Sequence, residues 1–357
     1  MLGIFERMAR EGHEQLIFCQ DTESDLKSVI GIHDSTLGSA LGGCRMWDYS
    51  SEEELVDDAL ALSHGMTEKS AITRTNHGGG KAVIWGDPHR DKSEALLRSF
   101  GRFVEGLGGR FITGTDVGTT GEDFVVASSE TRWLVGLPEY AGGSGNTSVT
   151  TAYGVLNGLR AAAAHVWNDD DLSGKRVAIQ GVGKVGEHLV SLLRDAGCEL
   201  IVTDIDSEAV KRVVDTYEVE SVEPESVYDV DCDIFSPCAL GNVLNPDTIE
   251  RLKCRVVAGA ANNQLSELPV GDRLHEMGIL YVPDYIINAG GLIQVADEVE
   301  GYDRDRVTRK TEGLYDLLLE CFARADEWSV APFRAADRLV RERIDTLGAI
   351  NRIHLPR

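Results

Sequence analysis

Residues Lys175-Arg176-Val177-Ala178-Ile179-Gln180-Gly181-Val182-Gly183-Lys184-Val185-Gly186 (KRVAIQGVGKVG) decide the fold. The first half, 175–180, reads as a buried strand. The second half, G-x-G-x-x-G, opens a helix that runs to about residue 196 and is stopped by Gly197. In that context the glycines serve a tight turn, a close approach of backbone to a pyrophosphate, and close helix–sheet packing. A second β-type run, 199–203, ends at Asp204, 18 residues beyond Gly186, where a carboxylate accepts hydrogen bonds from adenosine ribose hydroxyls. Asp204 and Asp206 would repel a 2′-phosphate and no Arg follows directly, so NAD is favoured over NADP. The competing reading is a domain whose glycine loop is only a turn. Further strand candidates at 232–235, 255–258 and 279–282 are each followed by a loop carrying Asn or Gly, which predicts a parallel, doubly wound sheet.

Upstream, residues 15–140 alternate β-type runs (15–20, 28–33, 81–85, 110–113) with helical ones (52–64, 91–107), the pattern of a separate α/β unit. The GGSGN tract at 142–146 marks the junction, and an Ala-rich helix follows over 149–166. Two tail helices are predicted at 303–325 and 331–347. At 357 residues the chain is long enough for two domains, expected at 1–145 and 146–330.

Thirty-five basic and 59 acidic side chains leave a formal charge of -24, which repels phosphate backbones and anionic lipid and speaks against nucleic-acid or membrane-surface partners. Only nine of the basic residues are Lys. Lys depletion with acidic excess reads as a salt-adapted, halophilic surface, because molar salt screens self-repulsion. Seven Cys without a C-x-x-C pair fit neither a disulfide framework nor a zinc site, and no 18-residue apolar run or signal segment occurs. These features predict a soluble cytoplasmic protein that acts on small molecules and carries no metal.

Gly78-Gly79-Gly80-Lys81 is not a phosphate loop, since Thr75 stands where a Gly is needed and Ala82 follows the Lys. What remains is a lysine at the start of a buried strand, beside residues without side chains. Desolvation disfavours a charged amine, which suits a base working near neutral pH. Lys69, the other lysine between residues 28 and 91, ends the preceding helix. A titratable amine cannot be replaced by guanidinium, so two lysines kept in a Lys-poor chain point to chemistry rather than surface. Asp116, in a Gly-Thr loop after a strand, either shares their cleft or caps a helix. For His77, nothing at suitable spacing in the sequence suggests an acidic partner. Asp21, Asp57, Asp58 and Asp169 to Asp171 read as solvated faces and caps.

The blocks LGGCRMW (41–47), GMTEKSA (65–71), GGGKAVIWGDP (78–88), ITGTDVGTT (112–120), GVGKVG, CDIFSPCALG (232–241), AANNQL and PDYIINAGG (283–291) together resemble the amino acid dehydrogenases, in order from about residue 36 to 347. The leucine, valine and phenylalanine types are nearest and glutamate dehydrogenase is more distant. The resemblance implies an N-terminal substrate and oligomerisation domain completed by the helix at about 331–357, a Rossmann-type NAD domain, and a homo-oligomer that closes a cleft during turnover. It implies that Lys81 is the catalytic lysine, Asp116 the proton-relaying carboxylate and Lys69 the holder of the substrate carboxylate. Leu41, Gly42, Met66, Gly114, Asn263, Leu292 and Val295 would line the substrate pocket. Gly181, Gly183, Val185, Gly186, Asp204, Thr151, Cys238, Ala239 and Asn288 would hold the cofactor.

The implied reaction is oxidative deamination of an amino acid to a 2-oxo acid and ammonia. Leu41 stands where glutamate-specific members carry a lysine, which favours an apolar substrate, leucine or another branched-chain amino acid first. Gly114 replaces a small alanine and would widen the pocket toward the phenylalanine or tryptophan type, while Leu292, where Val is common, narrows it. Gly145-Asn146-Thr147-Ser148-Val149 departs from the usual Gly-Asn-Pro-Ser-Pro of leucine-type members. The rival outside enzymes is an NAD-binding sensor, and the presence of both Lys81 and Asp116 speaks against it.

Overall fold

The computed structural model describes residues 3–350, which form two compact units. The first comprises residues up to 146 together with 294–303 and 340 onward. In chain order it holds α1 (Ile4–Glu11), β1 (Gln15–Asp21), β2 (Leu26–Asp34), β3 (Ala40–Trp47), α2 (Glu52–Ile72), β4 (Gly78–Trp85), α3 (Glu94–Gly106), β5 (Phe111–Thr115) and α4 (Gly121–Ala127). Its sheet has the order β1-β2-β4-β3-β5, with β2 antiparallel to both β1 and β4 and β3 parallel to both β4 and β5. Strand alternation sends Ala82 and Ile84 into a core with Phe100, Phe111 and Phe124, and sends Val83 into a second cluster with Leu55, Val56, Ala59 and Leu60 of α2. Lys81 shares the face of Val83.

α2 begins where the Ser51 hydroxyl accepts the Glu54 N–H, and three glutamates in its first turn and Lys69 in its last complement the helix dipole. It continues to Ile72, beyond the predicted end at 64, because Ser63, Thr67 and Ser70 keep one face of it buried. Neither β3 nor α4 was predicted. Gly42 and Gly43 hide β3, since glycine weakens a strand pattern.

The second unit comprises 147–293 and 304–339. Its elements are α5 (Ser148–Trp167), β6 (Arg176–Gln180), α6 (Lys184–Asp195), β7 (Glu199–Thr203), α7 (Ser207–Tyr217), β8 (Glu220–Ser221), β9 (Ile234–Pro237), α8 (Pro246–Ile249), β10 (Val256–Val257), α9 (Leu268–Glu276), β11 (Leu280–Tyr281), α10 (Asp284–Ile287), α11 (Gly290–Glu298), α12 (Arg304–Glu312), α13 (Leu314–Trp328) and α14 (Pro332–Gly348). All six strands are parallel, in the order β8-β7-β6-β9-β10-β11. The chain builds outward from β6 on one side, then returns to β9 and builds outward on the other. That is the doubly wound arrangement, with its switch point between β6 and β9.

The division is less contiguous than the sequence suggested. Residues 294–303 belong to the first unit because Gln294 donates to the Ser144 carbonyl and hydroxyl at 3.0 and 2.9 Å, and Glu298 accepts the N–H groups of Gly136 and Ser144. α14 is likewise shared, with residues from Val340 onward counted in the first unit; positions 351–357 lie outside the described residues. The single tail helix predicted over 303–325 is two, α12 and α13, interrupted at Gly313. Among the described residues no helix is long and apolar enough to cross a membrane.

Candidate active site

Gly79, the second of the three glycines that open β4, lets α2 lie directly on the sheet. A Cβ on Gly79 would stand 2.1 Å from Thr67 Oγ1 and 2.2 Å from its backbone nitrogen, and one on Gly80 would stand 2.7 Å from the Phe111 ring. The next residue, Lys81, is 5 % exposed, and its Nζ lies 3.0 Å from Asp116 Oδ2 at the end of β5. A buried ammonium is tolerated only with such a partner. Gly43 on β3 makes room for the pair: its missing Cβ would fall 2.9 Å from Asp116 Cβ and 3.2 Å from Lys81 Nζ.

Asp116 has a second cation. Arg45 Nε donates to the same Oδ2 at 3.1 Å, while Arg45 Nη1 donates to both oxygens of Asp58 at 3.1 and 3.0 Å. Tyr49 donates its phenol proton to Asp58 Oδ2 at 2.5 Å. Burial works against the Asp116 carboxylate, but Lys81 and then Arg45 outweigh it, so its pKa lies below the usual carboxylate value. Burial, reinforced by the Asp58 carboxylate, keeps the Tyr49 phenol protonated. The backbone N–H of Asp116 is held by Thr119 Oγ1, which in turn donates to the Cys44 carbonyl.

Several other expected residues gather around this pair. Met66 of α2 reaches to 3.2 Å from where a Gly42 Cβ would be. Leu41 is fully buried on β3 between Gly79 and Ile112, in a register that also sets Gly43 beside Gly114. Lys69 is half-buried one turn after Met66 on the same helix face. Val295 lies near Gly136, whose missing Cβ would be 3.9 Å from Val295 Cγ1 and 3.7 Å from Thr115 Oγ1. Beside Gly114, a methyl would meet Val135 Cγ2 at 3.3 Å, so Val135 already occupies that side.

Asp58 was expected on a solvated face and is instead the partner of Arg45, with three-quarters of its side chain covered. Arg45, Tyr49 and Gly43 were given no role by the sequence. No signal pointed to Arg45, because β3, the strand that carries it, was itself not predicted. Asp58 lies three residues after Leu55, at the margin of the apolar stripe of α2.

In the second unit the predicted glycine loop forms as expected at the switch point. Gly181 adopts φ +101, and a Cβ there would collide with Ala239 at 2.7–2.9 Å; one on Gly186 would stand 2.0 Å from the Gly181 carbonyl oxygen. Val185 is half-buried in the first turn of α6. Nothing lies within 4 Å of where a Gly183 Cβ would be, and Gly183 caps α6 without a side chain, leaving open space before the helix N-terminus. Asp204 Oδ2 accepts the Val182 N–H at 2.8 Å and Oδ1 accepts that of Asp206. Asp206 itself is the N-cap of α7. Ile205, 90 % exposed, and Leu240, 79 % exposed, offer apolar surface at the ends of β7 and β9, which the sequence reading missed.

Farther along the same rim, Asn288 Nδ2 donates to the Ala260 carbonyl and to Asn262 Oδ1, and exposed Asn263 sits at φ +50 with its carbonyl accepting the Asn242 N–H. Cys238 Sγ is 3.6 Å from Ser236 Oγ, and Thr151 of α5 lies beside Gly291. Leu292 is buried on α11, one turn before Val295. Among the described residues no group of three or more His, Cys, Asp or Glu could hold a metal ion.

Comparison with known proteins agrees with both units. Residues 13–138 match the family model "Glu/Leu/Phe/Val dehydrogenase, dimerisation domain", and residues 142–210 and 201–313 match "Glutamate/Leucine/Phenylalanine/Valine dehydrogenase". The chain is 54% identical to the leucine dehydrogenase of Thermoactinomyces intermedius over 97% of this chain and 94% of that protein. It is 50% identical to the phenylalanine dehydrogenase of the same organism, over 99% and 98%. L-tryptophan dehydrogenase from Nostoc punctiforme superposes with a TM-score of 0.84 at 43% identity, over 97% of this chain and 99% of that one. A buried lysine–aspartate pair in one unit, a dinucleotide-type glycine loop in the other, and matches to the family over both units lead to one conclusion: the chain belongs to the glutamate, leucine, phenylalanine and valine dehydrogenase family, oxidoreductases that act on CH–NH2 groups.

Proposed function

We propose that this protein catalyses the reversible, NAD-dependent oxidative deamination of an apolar L-amino acid, leucine first, to the 2-oxo acid and ammonia, as a cytoplasmic homo-oligomer. The observation that carries the chemistry is the buried Lys81 held 3.0 Å from Asp116. Bound NAD supplies the hydride acceptor at its nicotinamide ring. Gly181, Gly183, Val185 and Gly186 would receive the pyrophosphate, and the open space before Gly183 fits that use. Asp204 would take the ribose hydroxyls, its second lone pairs being available beside the two backbone contacts, and its charge disfavours a 2′-phosphate. Thr151, Cys238, Ala239 and Asn288 are assigned to the remainder of the cofactor.

In this reading Lys69 fixes the substrate carboxylate. Asp116 takes the proton that the substrate ammonium gives up, and loss of hydride from Cα then leaves an iminium. Lys81 removes a proton from the water that adds to the iminium carbon, and Asp116 returns its proton to the nitrogen of the carbinolamine. The carbinolamine hydroxyl then gives its proton back to Asp116 as the C–N bond breaks, releasing 2-oxo acid and ammonia. Asn263, Leu292, Val295, Met66, Gly42 and Leu41 are assigned to the amino acid. Val135 beside Gly114 supports a leucine-sized rather than an aromatic side chain.

The test is the rate of NAD reduction with leucine, valine, isoleucine, phenylalanine, tryptophan and glutamate. An unpaired second carboxylate in an apolar pocket costs several kcal/mol, so kcat/KM for the best apolar substrate should exceed that for glutamate by at least about a thousandfold. Comparable efficiency with glutamate would overturn the substrate assignment, and no NAD reduction by any of the six would overturn the function.

A further inference from the structure

We infer that Arg45 is a positioning residue for the proton relay, clamping Asp116 by one oxygen and anchored in turn by Asp58 and Tyr49. The inference rests on the dehydrogenase reading of the Lys81–Asp116 pair. Two cations from neighbouring strands, Lys81 of β4 and Arg45 of β3, converge on the same atom, Asp116 Oδ2, at 3.0 and 3.1 Å. Both cations reach the carboxylate through Oδ2, and the Asp116 side chain retains some solvent exposure. A carboxylate held this way cannot rotate without breaking two charge-assisted hydrogen bonds, and its second oxygen is the one left to take or give a proton.

The guanidinium suits the task because its donors form a rigid fork. Nε serves Asp116 and Nη1 spans both oxygens of Asp58, so Arg45 cannot swing toward one carboxylate without loosening the other. Tyr49 closes the row by donating to Asp58 Oδ2. The charged groups facing Asp116 are therefore Lys81 from β4 and Arg45 from β3, with Asp58 of α2 and Tyr49 behind Arg45. Asp58 balances Arg45, so the clamp itself adds no net charge beside the reacting amine. Arg45 acts through Asp116 and does not take part in the proton transfer itself.

Charge and geometry separate in two variants. Arg45→Met removes the cation and leaves a largely buried carboxylate with Lys81 alone. Its kcat/KM for leucine, relative to wild type, should fall by a further tenfold or so between pH 9 and pH 6, as protonation of Asp116 enters the working range. Arg45→Lys keeps the charge without the fork, so its ratio to wild type should stay level across that range while kcat drops about tenfold. If the Arg45 variants fail to fold, Asp58→Asn and Tyr49→Phe loosen the clamp from behind and should lower kcat with the KM for leucine unchanged. NAD affinity in each variant reports that the second unit is intact. A merely structural role predicts losses that do not depend on pH in Arg45→Met, and that outcome, or wild-type kcat in Asp58→Asn, overturns the inference. Failure of the wild-type protein to reduce NAD with any of the six amino acids overturns the functional reading instead, so the two failures are distinguishable.

Discussion

Gly43→Ala probes the catalytic pair without touching either member. Gly43 carries no left-handed φ, so alanine meets no backbone strain there. The added methyl would instead stand 2.9 Å from Asp116 Cβ, 3.0 Å from the Thr115 carbonyl oxygen and 3.2 Å from Lys81 Nζ. Carbon pairs rest at about 3.5–4.0 Å, so the intrusion on Asp116 Cβ is roughly 0.6 Å or more. Lys81 is fixed in a central strand with little room, and the loop bearing Asp116 is the part that can yield. The 3.0 Å contact therefore opens by several tenths of an ångström. Overpacking of this kind costs about 1–3 kcal/mol, a fall in Tm of about 2–12 °C. Misplacement approaching 1 Å costs about 100-fold in rate, so kcat for leucine deamination should fall by about 10- to 100-fold, far more than the loss of folded protein explains. The assay is NAD reduction under saturating leucine at a temperature well below both melting points. Gly65→Ala is the control, because nothing lies within 4 Å of its Cβ in the middle of α2; alanine there should stabilise by about 0.5–1 kcal/mol. Wild-type kcat in Gly43→Ala would refute the claim that the geometry of the pair sets the rate.

Three further outcomes follow from the same structure. Lys69→Ala should raise the KM for leucine with a smaller effect on kcat, since a carboxylate contact serves ground and transition states alike; an unchanged KM would remove Lys69 from the site. Asp204→Asn should narrow the preference for NAD over NADP in cofactor titrations, and a wild type that uses both equally would show that the carboxylate does not discriminate. His13, His33 and His64 form a row of edge-on and tilted rings with centroids 4.6 and 4.5 Å apart, and burial above all lowers the three pKa values below the ordinary 6.5. The unfolded chain then binds more protons as the pH falls through 6.5, so stability present above that value is lost below it. Tm should drop between pH 7.5 and 5.5, and drop less in His33→Gln; a flat profile would contradict this.

The second unit was legible because its signals are local. A β-type run, a glycine loop and a helix stop lie within 25 residues, and the strand order follows from repeating that motif. The first unit was less so. Gly42 and Gly43 obscured β3, and without β3 between β4 and β5 nothing brings Arg45 to Asp116, 71 positions away. Lys81 was found because a lysine beside three glycines is odd in any register. Asp58 looked solvated because an isolated aspartate on an amphipathic helix usually is, and only the position of Arg45 turns it inward. The glycines of β4 were read as space for chemistry, whereas Gly79 and Gly80 first serve the packing of α2 and Phe111. The break at Gly313 shows the opposite failing, where helical periodicity ran through a residue that ends one helix and starts another.

The central claim is that the buried lysine paired with Asp116 performs the proton transfers of amino acid deamination. It is tested most directly by the turnover of Lys81→Ala with leucine and NAD, measured alongside its NAD affinity. The account predicts a fall in kcat of at least about 100-fold with NAD binding nearly intact. A variant that keeps a tenth or more of the wild-type rate, with the wild-type pH profile, would contradict it.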